Sequence, residues 1–119
     1  MPRHLTFPKS KRLVRSAEFA RVRKEGRATR GQLISLGVLL SADEEKMRAG
    51  FITSRKTGGA VVRNRVRRRL REIVRRHQHE VIAGAWIVTI ASPRAARATY
   101  GALEDEWLRL AKRASILAA

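Results

Sequence analysis

The chain contains 119 residues, of which 44% are hydrophobic, and this is enough to enclose one core in a single domain spanning residues 1–119. Twenty-seven lysines and arginines against ten acids give a net charge of +17, which favours a nucleic-acid partner over a small acidic substrate. The absence of cysteine excludes disulfides and thiolate metal sites. Because no stretch has the pattern of a signal peptide or a membrane span, we expect a cytoplasmic protein.

The N-terminal part of the chain is predicted to form a basic arm and a short helix. Residues 1–15 are basic and contain two prolines, so no regular element is expected there. Ser16 is the expected N-cap of a helix over residues 17–25, which Gly26 ends. Two interpretations of Phe19 on this helix are open, a core residue or a platform on which an RNA base stacks.

Two strands are predicted to follow the first helix. Residues 32–40 are too apolar and too few for a surface helix, and residues 48–54 alternate and are rich in β-formers. An acidic turn at residues 41–45 separates the two segments, so we expect them to pair as a hairpin. The glycines that follow, Gly58 and Gly59, let the chain reverse, and they lack the Walker spacing of a nucleoside-triphosphate site.

A long basic helix is predicted from about residue 62 to Glu80. Eight arginines lie between Arg63 and Arg76 with a single acid, Glu72, and their mutual repulsion indicates a polyanionic partner. A membrane is the weaker alternative because the apolar face of the helix is small and mostly β-branched. That face is formed by Val62, Val66, Leu70, Ile73 and Val74, which recur at helical spacing.

A third strand and a last helix complete the predicted elements. Residues 85–91 have a buried-strand pattern, and with the strand at residues 49–55 they form a βαβ unit of parallel strands. A helix over residues 99–115 is expected to cover the sheet with Leu103, Trp107, Leu110 and Ala111. Its acids Glu104, Asp105 and Glu106 are expected in the early turns, where the helix dipole favours them.

The sequence contains no catalytic or metal-binding motif. It has no Gly-x-Ser-x-Gly and no His-Glu-x-x-His, and its ten acids are too scattered for a two-metal nuclease site. His77 and His79 point to different sides of the helix and cannot chelate one ion, so we interpret them as a feature of the helix C-terminus. We therefore expect no catalytic residue and no metal site in the protein, and we expect a partner to supply any chemistry on RNA.

The segment from Lys56 to Arg68 carries a family resemblance. Its sequence, Lys-Thr-Gly-Gly-Ala-Val-Val-Arg-Asn-Arg-Val-Arg-Arg, resembles the signature of the protein component of bacterial ribonuclease P. In that family, a strand that ends in basic residues leads through a glycine to an Arg-Asn-Arg element at the start of the central helix. The similarity extends from Phe7 through Phe19 to the last helix. The chain departs from the family at Arg23, often a second aromatic residue, at Arg55, often lysine, and at Gly59, often asparagine.

The resemblance implies a fold. It is an α/β (α+β) two-layer sandwich, in which a mixed four-stranded sheet packs with helices in the order α-β-β-β-α-β-α. The fourth strand is expected within residues 27–40. The crossover through the basic helix is expected to be left-handed, against the usual right-handed rule.

The resemblance also implies a function, that of the protein subunit of the ribonuclease P ribonucleoprotein, which removes the 5′ leader from precursor tRNA. The RNA subunit, with bound Mg²⁺, would catalyse the cleavage, and no protein partner would be required. Phe19 and Arg23 would bind the leader in a cleft between the first helix and the sheet. The residues implied to bind the catalytic RNA are Arg55, Lys56, Arg63, Asn64, Arg65, Arg67, Arg68 and Arg71.

Composition alone leaves another class of function open. A non-enzymatic basic RNA-binding or ribosomal-type protein would carry the same charge, but it would not accelerate leader removal by the catalytic RNA at low magnesium. A DNA-binding module is disfavoured because the sequence has no helix-turn-helix or zinc-finger pattern.

Overall fold

The computed structural model describes residues 7–41 and 46–118 of the chain. Within these ranges the elements follow the order α-β-β-β-α-β-α, and four strands form one mixed sheet, which confirms the predicted fold class. The elements are α1 (Ser16–Glu25), β1 (Arg27–Arg30), β2 (Ile34–Leu40), β3 (Arg48–Thr53), α2 (Ala60–His77), β4 (Ala85–Ala91) and α3 (Tyr100–Arg113). Short 3-10 helices cover Lys9–Lys11, Arg55–Thr57, Gln78–Glu80 and Pro93–Arg97.

The strand order in the sheet is β1-β2-β4-β3. β4 pairs antiparallel with β2 and parallel with β3, so the predicted parallel βαβ unit is confirmed. The predicted hairpin between β2 and β3 is wrong, because β4 lies between them. β4 is buried along nearly its whole length, and an interior position provides hydrogen-bond partners on both of its edges. Most of the predicted acidic turn falls on residues 42–45, outside the described residues, and the left-handed crossover stays a prediction.

Helices α2 and α3 pack on one face of the sheet and form the main core. The apolar face predicted for α2 is confirmed: Val66, Leu70, Ile73 and Val74 are buried and Val62 is half-buried. The apolar face predicted for α3 is confirmed as well, since Leu103, Trp107, Leu110 and Ala111 are all buried. The Nε1 atom of Trp107 donates a hydrogen bond to Thr89 Oγ1 at 3.2 Å, and this bond fixes α3 on β4.

Helix α1 packs on the opposite face of the sheet and covers only part of it. Its contacts form a small second cluster of buried residues, Leu13, Val22, Trp86 and Val88. Ser16 is the first helical residue and Arg15 is the N-cap, so the prediction of Ser16 as N-cap is wrong. The Glu18 carboxylate accepts hydrogen bonds from the Val14 and Arg15 backbone N–H groups at 3.0 Å each, and it thus does the work of a cap side chain.

Gly26 ends α1, as predicted. Its N–H donates to the Val22 carbonyl at 2.8 Å. A Cβ at this position would collide with the carbonyl oxygens of Val22 and Val38, so only glycine lets α1 lie this close to β2.

The ends of α2 and α3 differ in detail from the prediction. The α-helical part of α2 ends at His77, and the 3-10 helix Gln78–Glu80 covers the remaining predicted residues. Glu104, Asp105 and Glu106 lie in the second turn of α3, so their predicted place in its early turns is confirmed, but the first turn, where the dipole acts most strongly, contains no acid. Glu104 and Glu106 instead have specific partners, described below. Within the described ranges, no helix is both long enough and apolar enough to cross a membrane.

Candidate nucleic-acid interface

A groove of about 490 Å³ lies between α1 and the part of the sheet that α1 leaves uncovered. Its floor includes Gly37 and two isoleucines, Ile52 and Ile90, which remain 38% and 40% exposed. Three exposed arginines stand along its walls: Arg23, Arg27 and Arg30. The groove therefore combines an apolar floor with a cationic rim, an arrangement that suits single-stranded nucleic acid.

Phe19 belongs both to the small cluster under α1 and to the wall of the groove. The ring is half-buried and packs against the buried residues of that cluster. It also lies over Gly50, where a Cβ would come within 2.6 Å of two ring carbons. The two interpretations of Phe19 are thus compatible in this geometry, because the residue packs against the cluster and also lines the groove.

A network of charged groups fixes α1 on the sheet. Arg48 Nη1 contacts Glu18 Oε2 at 2.7 Å, and the guanidinium groups of Arg48 and Arg21 lie 5.0 and 5.1 Å from the ring centroid of Trp86. Burial favours a higher pKa for Glu18, but hydrogen bonds from the Arg15 backbone, from the Val14 backbone and from Arg48 together lower its pKa below the ordinary value. An ionised Glu18 thus joins the start of α1 to β3.

The arginines of α2 divide into a half-buried group and an exposed group. Arg65 and Arg69 donate hydrogen bonds to the Ala96 and Ala98 carbonyls, both at 3.1 Å, and they hold the segment before α3. Arg63, Arg65 and Arg67, from the predicted RNA-binding set, are half-buried. The exposed members of that set are Arg55, Lys56, Asn64, Arg68 and Arg71, and we call these five residues the arginine surface.

A small pocket of about 100 Å³ brings together three guanidinium groups, those of Arg12, Arg67 and Arg71. Arg67 also donates to Thr53 Oγ1 at 2.7 Å. Burial, and then the positive charges of Arg12 and Arg67, lower the pKa of Arg71 from its ordinary value. No acid is among the described residues that line the pocket, so a bound anion would relieve this repulsion.

Arg12 was missed by the sequence prediction because it lies in the basic arm, for which no regular element was expected. In the structure, the Leu13 N–H donates to the Ala49 carbonyl at 2.9 Å, and Arg12 forms an isolated bridge with Ala49. This part of the arm therefore runs beside β3. Residues 1–6 of the predicted arm lie outside the described residues.

The loop between β3 and α2 confirms the predicted role of Gly58 in reversing the chain, whereas Gly59 has a φ of −70°, which other residues also adopt. Gly58 has a φ of 149°, a conformation that favours glycine, and a Cβ there would contact the Val62 side chain. Gly59 is the N-cap of α2, and no side chain caps the helix. The chain can therefore reverse sharply and present Asn64 and Arg68 on the exposed side of α2.

His77 lies between two carboxylates that approach opposite nitrogens of its ring. Nδ1 contacts Glu80, and Nε2 contacts Glu104 Oε2 at 2.8 Å. Burial lowers the pKa of His77, but the hydrogen bonds to Glu80 and Glu104 outweigh burial and raise its pKa above the ordinary value. The ring also stacks on Trp107 with centroids 6.4 Å apart, so His77 joins the end of α2 to α3.

The described residues include no group of three or more His, Cys, Asp or Glu side chains placed to hold a metal ion. The resemblance assigns Mg²⁺ mainly to the RNA subunit, and the described residues of this chain offer no such cluster for it.

Two further exposed basic residues, Arg94 and Arg97, lie outside the predicted set, on the 3-10 helix Pro93–Arg97. The available signal was their position just after β4, because the carboxyl ends of the parallel strands β3 and β4 meet at one edge.

Comparison with known proteins gives one consistent family. The sequence profile of the family described as Ribonuclease P matches residues 7–115. The ribonuclease P protein component of Acidothermus cellulolyticus is 42% identical over 108 residues, which cover 90% of each chain. That of Chloroflexus aurantiacus is 41% identical over 109 residues, which cover 91% of this chain and 80% of the relative.

Solved structures of the same kind of protein share the fold. The RNase P protein of Staphylococcus aureus superposes with a TM-score of 0.85 at 26% identity, covering 92% of this chain and 99% of that one. The RNase P protein of Thermotoga maritima superposes with a TM-score of 0.76 at 27% identity, covering 86% and 96% of the two chains. The family resemblance is thereby confirmed, and the chain belongs to the ribonuclease P protein family.

Proposed function

We propose that the protein binds the RNA subunit of ribonuclease P and the 5′ leader of precursor tRNA, and that it assists removal of the leader. The observation that carries this proposal is the groove beside α1. Unpaired bases stack on aromatic rings and apolar surface, and phosphates pair with arginine, so the groove suits an unpaired RNA strand. Phe19 would contact a base of the leader, and Arg23 would contact its backbone.

The arginine surface would bind the RNA subunit. Its side chains lie on α2 and on the 3-10 helix Arg55–Thr57, outside the residues that line the groove. Since phosphate contacts fix position and carry little sequence information, this surface suits a folded RNA whose shape supplies the specificity. The two RNA molecules would thus meet at separate surfaces of one small protein.

Cleavage itself would be catalysed by the RNA subunit with Mg²⁺, in the cytoplasm. The described residues offer no carboxylate cluster suited to two-metal chemistry. The contribution of the protein would be electrostatic, because its positive charge offsets repulsion between the phosphates of the two RNAs.

The proposal is tested by reconstitution with a bacterial ribonuclease P RNA at low magnesium. We expect the protein to accelerate leader removal from precursor tRNA and to bind precursor more tightly than mature tRNA. A ribosomal-type protein of similar charge provides the control for non-specific charge neutralisation. Equal acceleration by both proteins, or none by this one, would contradict the proposal.

A further inference from the structure

The 3-10 helix Pro93–Arg97 carries two exposed arginines, Arg94 and Arg97. They are three residues apart, and residues at this spacing in a 3-10 helix project from the same side, about 6 Å apart along the axis. This separation is comparable to that between consecutive phosphates of one RNA strand. The two side chains therefore start from positions whose spacing lets their guanidinium groups reach neighbouring phosphates.

This 3-10 helix is held firmly against α2. Arg65 donates to the Ala96 carbonyl and Arg69 to the Ala98 carbonyl, and Ala95, which belongs to the 3-10 helix, is fully buried. Little backbone freedom would be lost when an anion binds here, because the helix is already fixed in the folded protein.

Arg94 and Arg97 lie in a long segment of the sequence that contains no acid. No acid occurs in residues 46–71 or in residues 81–103. The 3-10 helix Arg55–Thr57 follows β3 as Pro93–Arg97 follows β4, and since β3 and β4 are parallel neighbours, both 3-10 helices lie at the same edge of the sheet. Arg94 and Arg97 thus extend the arginine surface.

We propose that Arg94 and Arg97 form a phosphate clamp that binds the backbone of the ribonuclease P RNA subunit. The choice of this RNA over the leader follows from position, since no residue of 93–97 is among the described residues that line the groove. Arg65 and Arg69 act as positioning residues, because they hold the helix that carries the clamp. This inference rests on the proposed function and adds a contact to the RNA-binding set.

The test is the double variant Arg94→Ala/Arg97→Ala in the full-length protein. We expect roughly tenfold weaker binding to the RNA subunit at moderate salt, and a salt slope that is smaller in magnitude by about 1.5. The loss should be equal for holoenzyme assembled on precursor tRNA with a leader and on tRNA without one. Thermal melting should be unchanged, because neither side chain is buried.

The matched control is Lys112→Ala/Arg113→Ala, which removes the same charge from exposed positions in the last turn of α3, about 20 Å along the helix from its start. Equal losses in the two double variants would overturn the clamp and leave only net charge. A loss confined to substrates with a leader would also overturn it, because it would assign both arginines to the groove. Failure of the unchanged protein to bind the RNA subunit would instead refute the proposed function.

Discussion

Glu106 shows how one buried carboxylate organises two distant parts of the chain. Its oxygens accept hydrogen bonds from the backbone N–H groups of Gln32, Leu33 and Ile34 at 3.3, 2.6 and 2.8 Å, at the turn between β1 and β2. Arg109 Nη2 contacts the same carboxylate at 3.1 Å. Gln32 and Leu33 lie in this turn and Ile34 is the first residue of β2, so the acid on α3 provides acceptors for the N–H groups where the chain enters the strand.

The first prediction concerns Glu106→Gln. The amide nitrogen cannot accept a hydrogen bond, so at least one backbone N–H of the turn loses its acceptor, and we expect a loss of about 1 to 3 kcal/mol in the free energy of unfolding. Urea denaturation measures this loss in the free energy of unfolding. The neighbouring variant Asp105→Asn is the control, since Asp105 is exposed and should change stability by less than about 0.5 kcal/mol. Equal small effects would show that the turn does not need the carboxylate.

The second prediction separates the two roles of Phe19. Phe19→Leu keeps apolar packing under α1 but removes the aromatic face, so we expect a loss of about 1 to 3 kcal/mol in affinity for precursor tRNA, with little change in melting temperature. Phe19→Ala should show the same affinity loss and, because the ring is half-buried, a further loss of about 2 kcal/mol in stability. The measurement compares binding of substrates with and without a leader. Equal losses for the two substrates would exclude base stacking by Phe19.

Helix α2 has two basic sides with different surroundings. One side is exposed, and the other holds the segment that precedes α3. Adjacent residues illustrate the division: Arg68 is exposed, while Arg69 donates to the Ala98 carbonyl. Charge count alone therefore overstates how many arginines of α2 are available to RNA.

The third prediction compares these neighbours. Arg68→Ala should weaken binding to the RNA subunit and reduce the magnitude of the salt slope by up to about one unit, with an unchanged melting temperature. Arg69→Ala should lower the free energy of unfolding by about 1 kcal/mol, because it removes a hydrogen bond between α2 and the segment before α3. The measurements are the salt dependence of binding to the RNA subunit and urea denaturation, each made on both variants. An unchanged salt slope for Arg68→Ala would mean that its side chain only faces solvent.

The fourth prediction is a pH dependence at the junction of α2 and α3. The folded pKa of His77 is raised above its ordinary value of 6.5, so folded protein retains a proton that the unfolded chain releases. The stability contributed by His77 is therefore complete below pH 6.5 and is lost as pH rises through the folded pKa. Urea midpoints measured from about pH 6 to about pH 8 should fall for the unchanged protein.

The control variants for this pH dependence are His77→Gln and His79→Gln. Glutamine at position 77 does not titrate, so this part of the pH dependence should disappear. His79 is exposed, and its replacement should leave the pH dependence in place. If His77→Gln retains the full slope, another group is responsible for it.

The elements that sequence patterns predicted best are those with strong local periodicity. α2, β2, β4 and α3 were found because their buried faces repeat at helical spacing or form continuous apolar runs. β1 is only four residues long and mostly exposed, so no apolar pattern indicates it, and only the family resemblance implied a strand there. The pairing of β2 with β3 was predicted wrongly for a different reason. Partner choice in a sheet depends on contacts between strands far apart in sequence, and β2 pairs with β4.

The candidate site was predicted to the extent that its residues lie close together in sequence. The Arg-Asn-Arg element and Phe19 could be named in advance because the family signature and the pattern of the first helix contain them. The division of the α2 arginines could not, because it depends on the carbonyls of Ala96 and Ala98. The pocket beside β3 was missed because Arg12 and Arg71 are brought together only by folding.

Acidic and basic residues are distributed unevenly along the chain. Two segments of the chain, residues 46–71 and 81–103, contain no acid. Together they contain the arginine surface and the clamp. Several other acids are paired: Glu18 with Arg48, Glu72 with Arg75, and Glu104 with His77. A polyanion that approaches the edge formed by the two 3-10 helices therefore meets positive charge with few nearby acids to repel it.

The last prediction follows from this distribution. Without the RNA subunit, the protein should not cleave precursor tRNA even in abundant magnesium, because its described residues provide no carboxylate cluster for metal ions. Cleavage by protein free of RNA would show that it carries an active site of its own.

With the RNA subunit, the protein should lower the magnesium concentration needed for half-maximal cleavage, because arginines replace cations that would otherwise screen the phosphates. Arg68→Ala/Arg71→Ala, at two exposed positions of α2, should raise that concentration more than Lys112→Ala/Arg113→Ala, although both variants remove two charges. If the two variants shift this magnesium concentration equally, net charge is enough and the arrangement of arginines on α2 has no special role.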